Sequence, residues 1–124
     1  MNGQKCLERT WKDGNLGLET KWWDRWDNGK KSLERTWKEG NMDGLETQWY
    51  ENGKLKNQTT WKNDERDGLE LAWYENGRKC LEITWKNGKE NGLETHWYEN
   101  GQKWLERTWR GGKLDGGMKM DKSG

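Results

Sequence analysis

Seven glutamates, Glu8, Glu34, Glu46, Glu70, Glu82, Glu94 and Glu106, recur in Leu-Glu pairs along a chain with one histidine, His96, and two serines, Ser32 and Ser123. Carboxylates at regular intervals could serve as the acid and base of a glycosidase, or as ligands for calcium. A glycosidase needs two carboxylates in unlike environments, whereas repetition makes these seven equivalent, so a charge ladder facing solvent is expected. Turns such as "DGNL", "NGKEN" and "DERDG" lack the ligand spacing and the closing bidentate glutamate of a calcium loop. No serine or cysteine stands in a nucleophile–base motif, and His96 occupies a place where other copies carry Thr, Gln or Ala. The residues therefore imply no enzyme, no metal and no cofactor.

Cys6 and Cys80 both sit in "KCLE". If three repeats of two strands separate them, they lie roughly 29 Å apart at about 4.8 Å per strand. A disulfide needs Cα atoms within about 7 Å, so two free thiols are expected.

What must position these residues is a repeat. From Trp37 onward tryptophan recurs every twelve residues, at 37, 49, 61, 73, 85, 97 and 109, and alternate intervals differ, so the unit is twenty-four. "WYENG" begins at 49, 73 and 97. Before Trp37 the beat is disturbed, with added residues around "WWDRWDNG" and a shortened turn at "DGNLG". About seven residues separate the Gly-rich breaks, too few for a helix, and Asn-Gly or Asp-Gly between alternating segments signals hairpins. Ten strands follow, near 5–12, 17–24, 32–38, 44–50, 57–62, 68–74, 80–86, 92–98, 104–110 and 116–120. They form an elongated single-layer antiparallel meander of about five stacked hairpins. The array spans 1–120, with a tail at 121–124.

Placing Leu93 opposite Trp109 and Trp97 opposite Leu105 requires a loop with an odd number of residues, three or five, around Asn100-Gly101-Gln102. That register puts Leu and Trp together on one face and Glu with Thr on the other. It also sets Tyr98 opposite Trp104, Tyr74 opposite Cys80, and His96 between Glu82 and Glu106, which would favour its protonated form.

Composition fits a thin structure. Apolar residues make up 28% and charged residues 36%, with 17 glycines, 12 tryptophans and no proline. Such a chain would read as disordered, but each indole buries roughly 150–250 Å². Basic and acidic residues, 23 and 22, are interspersed. No basic stripe exists for nucleic acid, and no apolar run for a leader or membrane insertion. A cytoplasmic location is the expectation.

The segments "DGLETQWYENGKLKNQTTWKN" (43–63) and "NGLETHWYENGQKWLERTWRGGKLDG" (91–116) resemble the MORN repeat, particularly the bacterial variant of YwqK-type antitoxins. This chain departs from it in using Trp for a frequent second-half Tyr, and Glu after Gly-Leu where an aromatic often sits. The resemblance implies stacked hairpins in an elongated curved sheet, and an interaction scaffold. The expected role is binding of a protein partner, a toxin or scaffold client, through an aromatic face of Trp49, Tyr50, Trp73, Tyr74, Trp97 and Tyr98. The alternatives are a carbohydrate or cell-wall module, and end-to-end self-association through uncapped strands.

Overall fold

A computed structural model describes residues 6–23 and 29–119. It contains ten strands: β1 (Leu7–Lys12), β2 (Asn15–Trp22), β3 (Lys31–Lys38), β4 (Asn41–Trp49), β5 (Leu55–Lys62), β6 (Glu65–Trp73), β7 (Lys79–Lys86), β8 (Lys89–Trp97), β9 (Lys103–Arg110) and β10 (Lys113–Lys119). They form one open sheet in which each strand pairs antiparallel with its sequence neighbours. The chain is thus the all-β hairpin meander that its period describes. The tail expected at 121–124 lies outside the described residues.

Two kinds of connection alternate, and each has a chemical cause. Odd strands turn into even ones through two residues, Asp13-Gly14, Glu39-Gly40, Asn63-Asp64, Asn87-Gly88 and Gly111-Gly112, all with positive φ. Positive φ at both central positions defines the type I′ turn, whose twist matches that of the strands it joins. Between β4 and β5, β6 and β7, and β8 and β9 the chain uses five residues, beginning with Tyr50, Tyr74 and Tyr98. In these loops the Tyr N–H donates to the carbonyl of Lys54, Arg78 or Gln102 at 2.8 Å.

The even strands begin about three residues earlier than their Gly punctuation suggests. Gly44, Gly68 and Gly92, with φ of 109, 121 and 110°, lie inside strands rather than at turns. They sit where two residues of one strand face four of the next: Trp85 opposes Glu90, but Ile83 opposes Glu94. An inserted bulge of this kind needs a backbone conformation that glycine adopts without strain. At Gly44 a Cβ would also come within 2.7 Å of Thr36 Oγ1.

A second bulge resets the register after each five-residue loop. Trp97 pairs with Lys103, but His96 pairs with Leu105, leaving Trp104 as the extra residue. Of the expected loops of three or five residues the longer is present, yet the register derived from an odd loop is not. Leu93 lies opposite Thr108 rather than Trp109, and Trp97 opposite Lys103 rather than Leu105. His96 lies between Leu81 and Leu105, not between Glu82 and Glu106. Tyr74 bonds to Arg78 across its loop instead of standing opposite Cys80. Tyr98 and Trp104 nevertheless meet, with ring centroids 6.2 Å apart.

Neighbouring hairpins are clipped together at both edges. At the tight-turn edge the backbone N–H of Asp64, Gly88 and Gly112 donates to the carbonyl of Met42, Arg66 and Glu90 of the preceding hairpin, each at 2.9 Å. At the other edge the Tyr50 hydroxyl donates to the Trp73 carbonyl at 2.6 Å, and Tyr74 does the same to Trp97. Burial raises both phenols above their ordinary pKa, and the Cys80 thiolate charge would add to this, so both stay protonated as donors.

With one layer, burial concentrates at mid-strand. Leu33 and Ile83 are the buried apolar residues among those described, while Glu19, Thr20, Glu46, Thr47, Thr59, Glu94 and Thr95 are buried polar ones. Cys6 and Cys80 are not bridged to each other, as their separation in the repeat requires.

Candidate functional site

The bulges divide the side chains between two faces in a way that simple alternation does not anticipate. On one face lie Gly44, Glu46 and Gln48 of β4, with Trp61 and Thr59 of β5 opposite. The same positions recur as Glu70 with Trp85 and as Glu94 with Trp109 and Arg107. The other face takes the remaining positions, including Leu45, Thr47 and Trp49, with their equivalents Leu69, Leu71 and Trp73, and Leu93, Thr95 and Trp97.

The first face is sealed by an indole–carboxylate ladder. Trp61 Nε1 donates to Glu46 at 2.9 Å, Trp85 to Glu70 at 2.9 Å and Trp109 to Glu94 at 2.6 Å. Each carboxylate also meets a guanidinium, supplied from three different places. Arg35 on the preceding strand reaches Glu46 at 3.2 Å, Arg66 on the same strand approaches Glu70 at 3.7 Å, and Arg107 on the following strand bonds Glu94 at 2.7 Å. The cations lie over rings as well: Arg66 sits 5.4 Å from the Trp61 centroid and 5.0 Å from that of Trp85, and Arg107 lies 5.3 Å from Trp109. A buried carboxylate is tolerated only when its oxygens are filled in this way.

Glu94 is the most heavily satisfied of the three. His96 Nε2 shares a hydrogen bond with its Oε2 at 2.7 Å, and the His96 ring meets Trp104 at 5.1 Å. Burial alone would raise the Glu94 pKa. Hydrogen bonds from Arg107, His96 and Trp109, with the Arg107 charge, outweigh it and hold the carboxyl at about 2.

The glutamates are therefore not one solvated ladder. Glu46 and Glu94 are buried, whereas Glu34, Glu82 and Glu106 sit on the other face as partners of Lys31, Lys79 and Lys103, at 3.2, 3.1 and 3.3 Å. Spacing alone does not give the division: Glu46 and Glu94 stand fifteen residues before Trp61 and Trp109, but Glu34 and Glu82 stand equally far before Trp49 and Trp97. Among the described residues no group of three His, Cys, Asp or Glu is placed to hold a metal, and burial raises the Cys80 thiol away from reactivity.

The second face is open. Leu45, Leu69 and Leu93 are 49, 44 and 49% exposed, at equivalent positions two strands apart. Two strand spacings make about 9.6 Å between neighbours in the row. Trp49, Trp73 and Trp97 form a parallel, half-buried row four residues on. Lys31 lies 6.0 Å over the Trp49 ring and Lys79 5.7 Å over Trp97. A cleft of about 250 Å³ opens beside Trp49, lined also by Lys30, Lys31 and Gly53.

Of the six aromatic residues singled out from the sequence, the structure gathers the three tryptophans on this face, half-buried rather than exposed. The tyrosines stand apart: Tyr50 and Tyr74 spend their hydroxyls on the scaffold, and Tyr98 packs by Trp104. Sequence reasoning missed the exposed leucine row, since the expected register hid those residues among tryptophans.

No helix among the described residues is long and apolar enough to cross a membrane. No curated protein matches the chain. A solved structure that matches is S. aureus TarM, a mutant crystallised with fondaparinux, alpha-GlcNAc-glycerol and UDP, at 7% identity and a TM-score of 0.47 over 90% of this chain. The chain spans 21% of the length of that structure. The model of the MORN repeat variant matches residues 42–63, 66–87 and 90–110, in step with the β4–β5, β6–β7 and β8–β9 units. Together these matches cover just over half of the sequence, and the chain belongs to the MORN repeat variant family.

Proposed function

We propose that this chain is a non-enzymatic interaction module, binding a protein partner in the manner of an antitoxin or scaffold through the face of Leu45, Leu69, Leu93, Trp49, Trp73 and Trp97. The observation that carries the reading is the row of leucines left nearly half exposed at a constant interval. Apolar side chains held in register at a surface favour association, and their lysine–glutamate borders supply the polar rim that interfaces use. The opposite face, with its carboxylates filled internally, has little left to offer a partner. Interspersed charge argues against nucleic acid.

The test is capture of partners on the purified chain, with a Trp73→Ala/Trp97→Ala variant and a Leu69→Ser variant alongside. The expected result is one protein retained in stoichiometric amount by the parent, lost by both variants, while their circular dichroism is kept. Equal retention by all three chains would overturn the reading. Quenching of indole fluorescence by soluble glycans, with no protein retained, would replace the protein partner by a carbohydrate.

A further inference from the structure

The even strands β4, β6 and β8 are tied to one another across the odd strand between them, at both ends. Asp64 and Gly88, in the turns that lead into β6 and β8, donate backbone N–H groups to Met42 in β4 and Arg66 in β6. At the opposite end Tyr50 and Tyr74, just past β4 and β6, donate hydroxyls to the carbonyls of Trp73 and Trp97. A third tie joins each even strand to the next odd one, where Trp61, Trp85 and Trp109 bond Glu46, Glu70 and Glu94.

None of the three ties is made around β3. Gly40 takes the place of Asp64 and Gly88, and Leu16 that of Met42 and Arg66, but no such bond joins them among the described residues. Trp23 takes the place of Tyr50: its backbone N–H donates to Lys30 at 2.9 Å, as that of Tyr50 does to Lys54 at 2.8 Å. It has no hydroxyl for the Trp49 carbonyl, and its Nε1 is buried without a partner. Trp37 stands two residues past Arg35, which opposes Glu19, just as Trp61 stands two past Thr59, which opposes Glu46. Trp37 Nε1 is nevertheless buried and unpartnered too. Glu19 faces an arginine on each neighbouring strand, and its oxygens go to Arg9 at 3.1 Å and Arg35 at 3.7 Å.

We infer that the β1–β2 hairpin is a separately opening unit, which parts from β3 while the rest of the sheet stays folded. In a linear array each element is held by its neighbours alone, so an interface that lacks ties opens first. Between β2 and β3 the main-chain ladder of Leu18 to Trp22 with Lys31 to Thr36 remains. Parting there strands no charge. Glu19 leaves with Arg9 of its own hairpin, and Arg35 keeps Glu46 at 3.2 Å. Parting β8 from β9 would instead strip Glu94 of both Arg107 and Trp109.

Backbone hydrogen exchange, followed by NMR at neutral pH and corrected for intrinsic rates, tests this with β9 as the reference. Both β2 and β9 lie one strand in from an end of the described sheet. The β2 amides that bond to β3 should exchange about tenfold faster than the β9 amides that bond to β8. Trp23→Tyr, which returns a hydroxyl to the Trp49 carbonyl, should narrow that gap several-fold. Tyr74→Phe, which removes a hydroxyl tie between β6 and β8, should speed exchange between β6 and β7. Circular dichroism confirms that the variants are folded, and should one melt early, the other carries the comparison. Equal protection of β2 and β9 in the parent overturns the inference. So does exchange that neither substitution alters, because the ties would then not govern opening.

Discussion

The two faces of this sheet carry similar residue types and end in different states. On one, indoles at 61, 85 and 109 hand their N–H groups to glutamates beneath them, with arginines lying over the rings. On the other, indoles at 49, 73 and 97 run beside leucines that remain nearly half exposed. Tryptophan is abundant on both, so residue type does not decide which face is closed. What differs is the partnering of the carboxylates: a closed face can be built from Glu, Arg and Trp as well as from aliphatic side chains where the glutamate oxygens are filled, even though Arg35 Nε, Arg66 Nε and Trp37 Nε1 are buried there without a hydrogen-bond partner. A single layer has no second sheet to cover the open face.

The largest effect expected on this contrast comes from the bulge glycines, which set which residues share a face. Gly44→Ala must accommodate a φ of 109° and a Cβ 2.7 Å from Thr36 Oγ1. A loss of about 2–3 kcal/mol is expected in urea unfolding. A loss under about 0.5 kcal/mol would mean that the backbone there relaxes freely, and the division into faces would no longer rest on glycine.

Acid distinguishes the faces next. The folded Glu94 carboxyl, held at about 2, lies below its unfolded value near 4.5. A depressed carboxyl contributes stability that is present above the unfolded pKa and lost as pH falls through the folded one. Stability should therefore drop between about pH 4.5 and 2, by roughly 2 kcal/mol after allowance for solvent screening, and Glu94→Gln should flatten that part of the profile. A variant profile parallel to that of the parent would remove Glu94 from the account. A smaller effect is expected at the edge between hairpins, where Tyr74→Phe deletes a hydroxyl bonded to the Trp97 carbonyl. About 1 kcal/mol is expected by thermal unfolding, with partner capture unchanged; loss of capture at unchanged stability would return Tyr74 to the binding surface.

Much of the fold was legible in the sequence because it is carried by local signals. The twelve-residue beat, "WYENG" and the glycines gave ten strands in one layer, loops of three or five residues, and two cysteines too far apart to bridge each other. The register was not legible, for a physical reason. Asp-Gly and Asn-Gly at 43–44, 67–68 and 91–92 look like turns but are bulges, while one true turn, Asn63-Asp64, contains no glycine. Each bulge shifts the pairing, and a shift moves side chains against new partners. Hence the leucine row and the bonds between residues fifteen apart emerged only in three dimensions, whereas Trp49, Trp73 and Trp97 were already marked as a group. The supply of guanidinium from Arg35, Arg66 or Arg107 is a further case: no fixed offset in the repeat predicts it.

Leu93 and Glu94 are adjacent in β8, point to opposite faces, and are 49 and 6% exposed. Urea unfolding of Leu93→Ala beside Glu94→Ala is the most direct test that one face is sealed and the other open. Removing the glutamate strands Trp109 Nε1, His96 and Arg107 without their acceptor, so it should cost about 2–3 kcal/mol. Removing the leucine should cost less than about 0.5 kcal/mol, as at an ordinary surface position. The reverse order, with the leucine the costlier deletion, would show that the row of Leu45, Leu69 and Leu93 is core and would contradict the account.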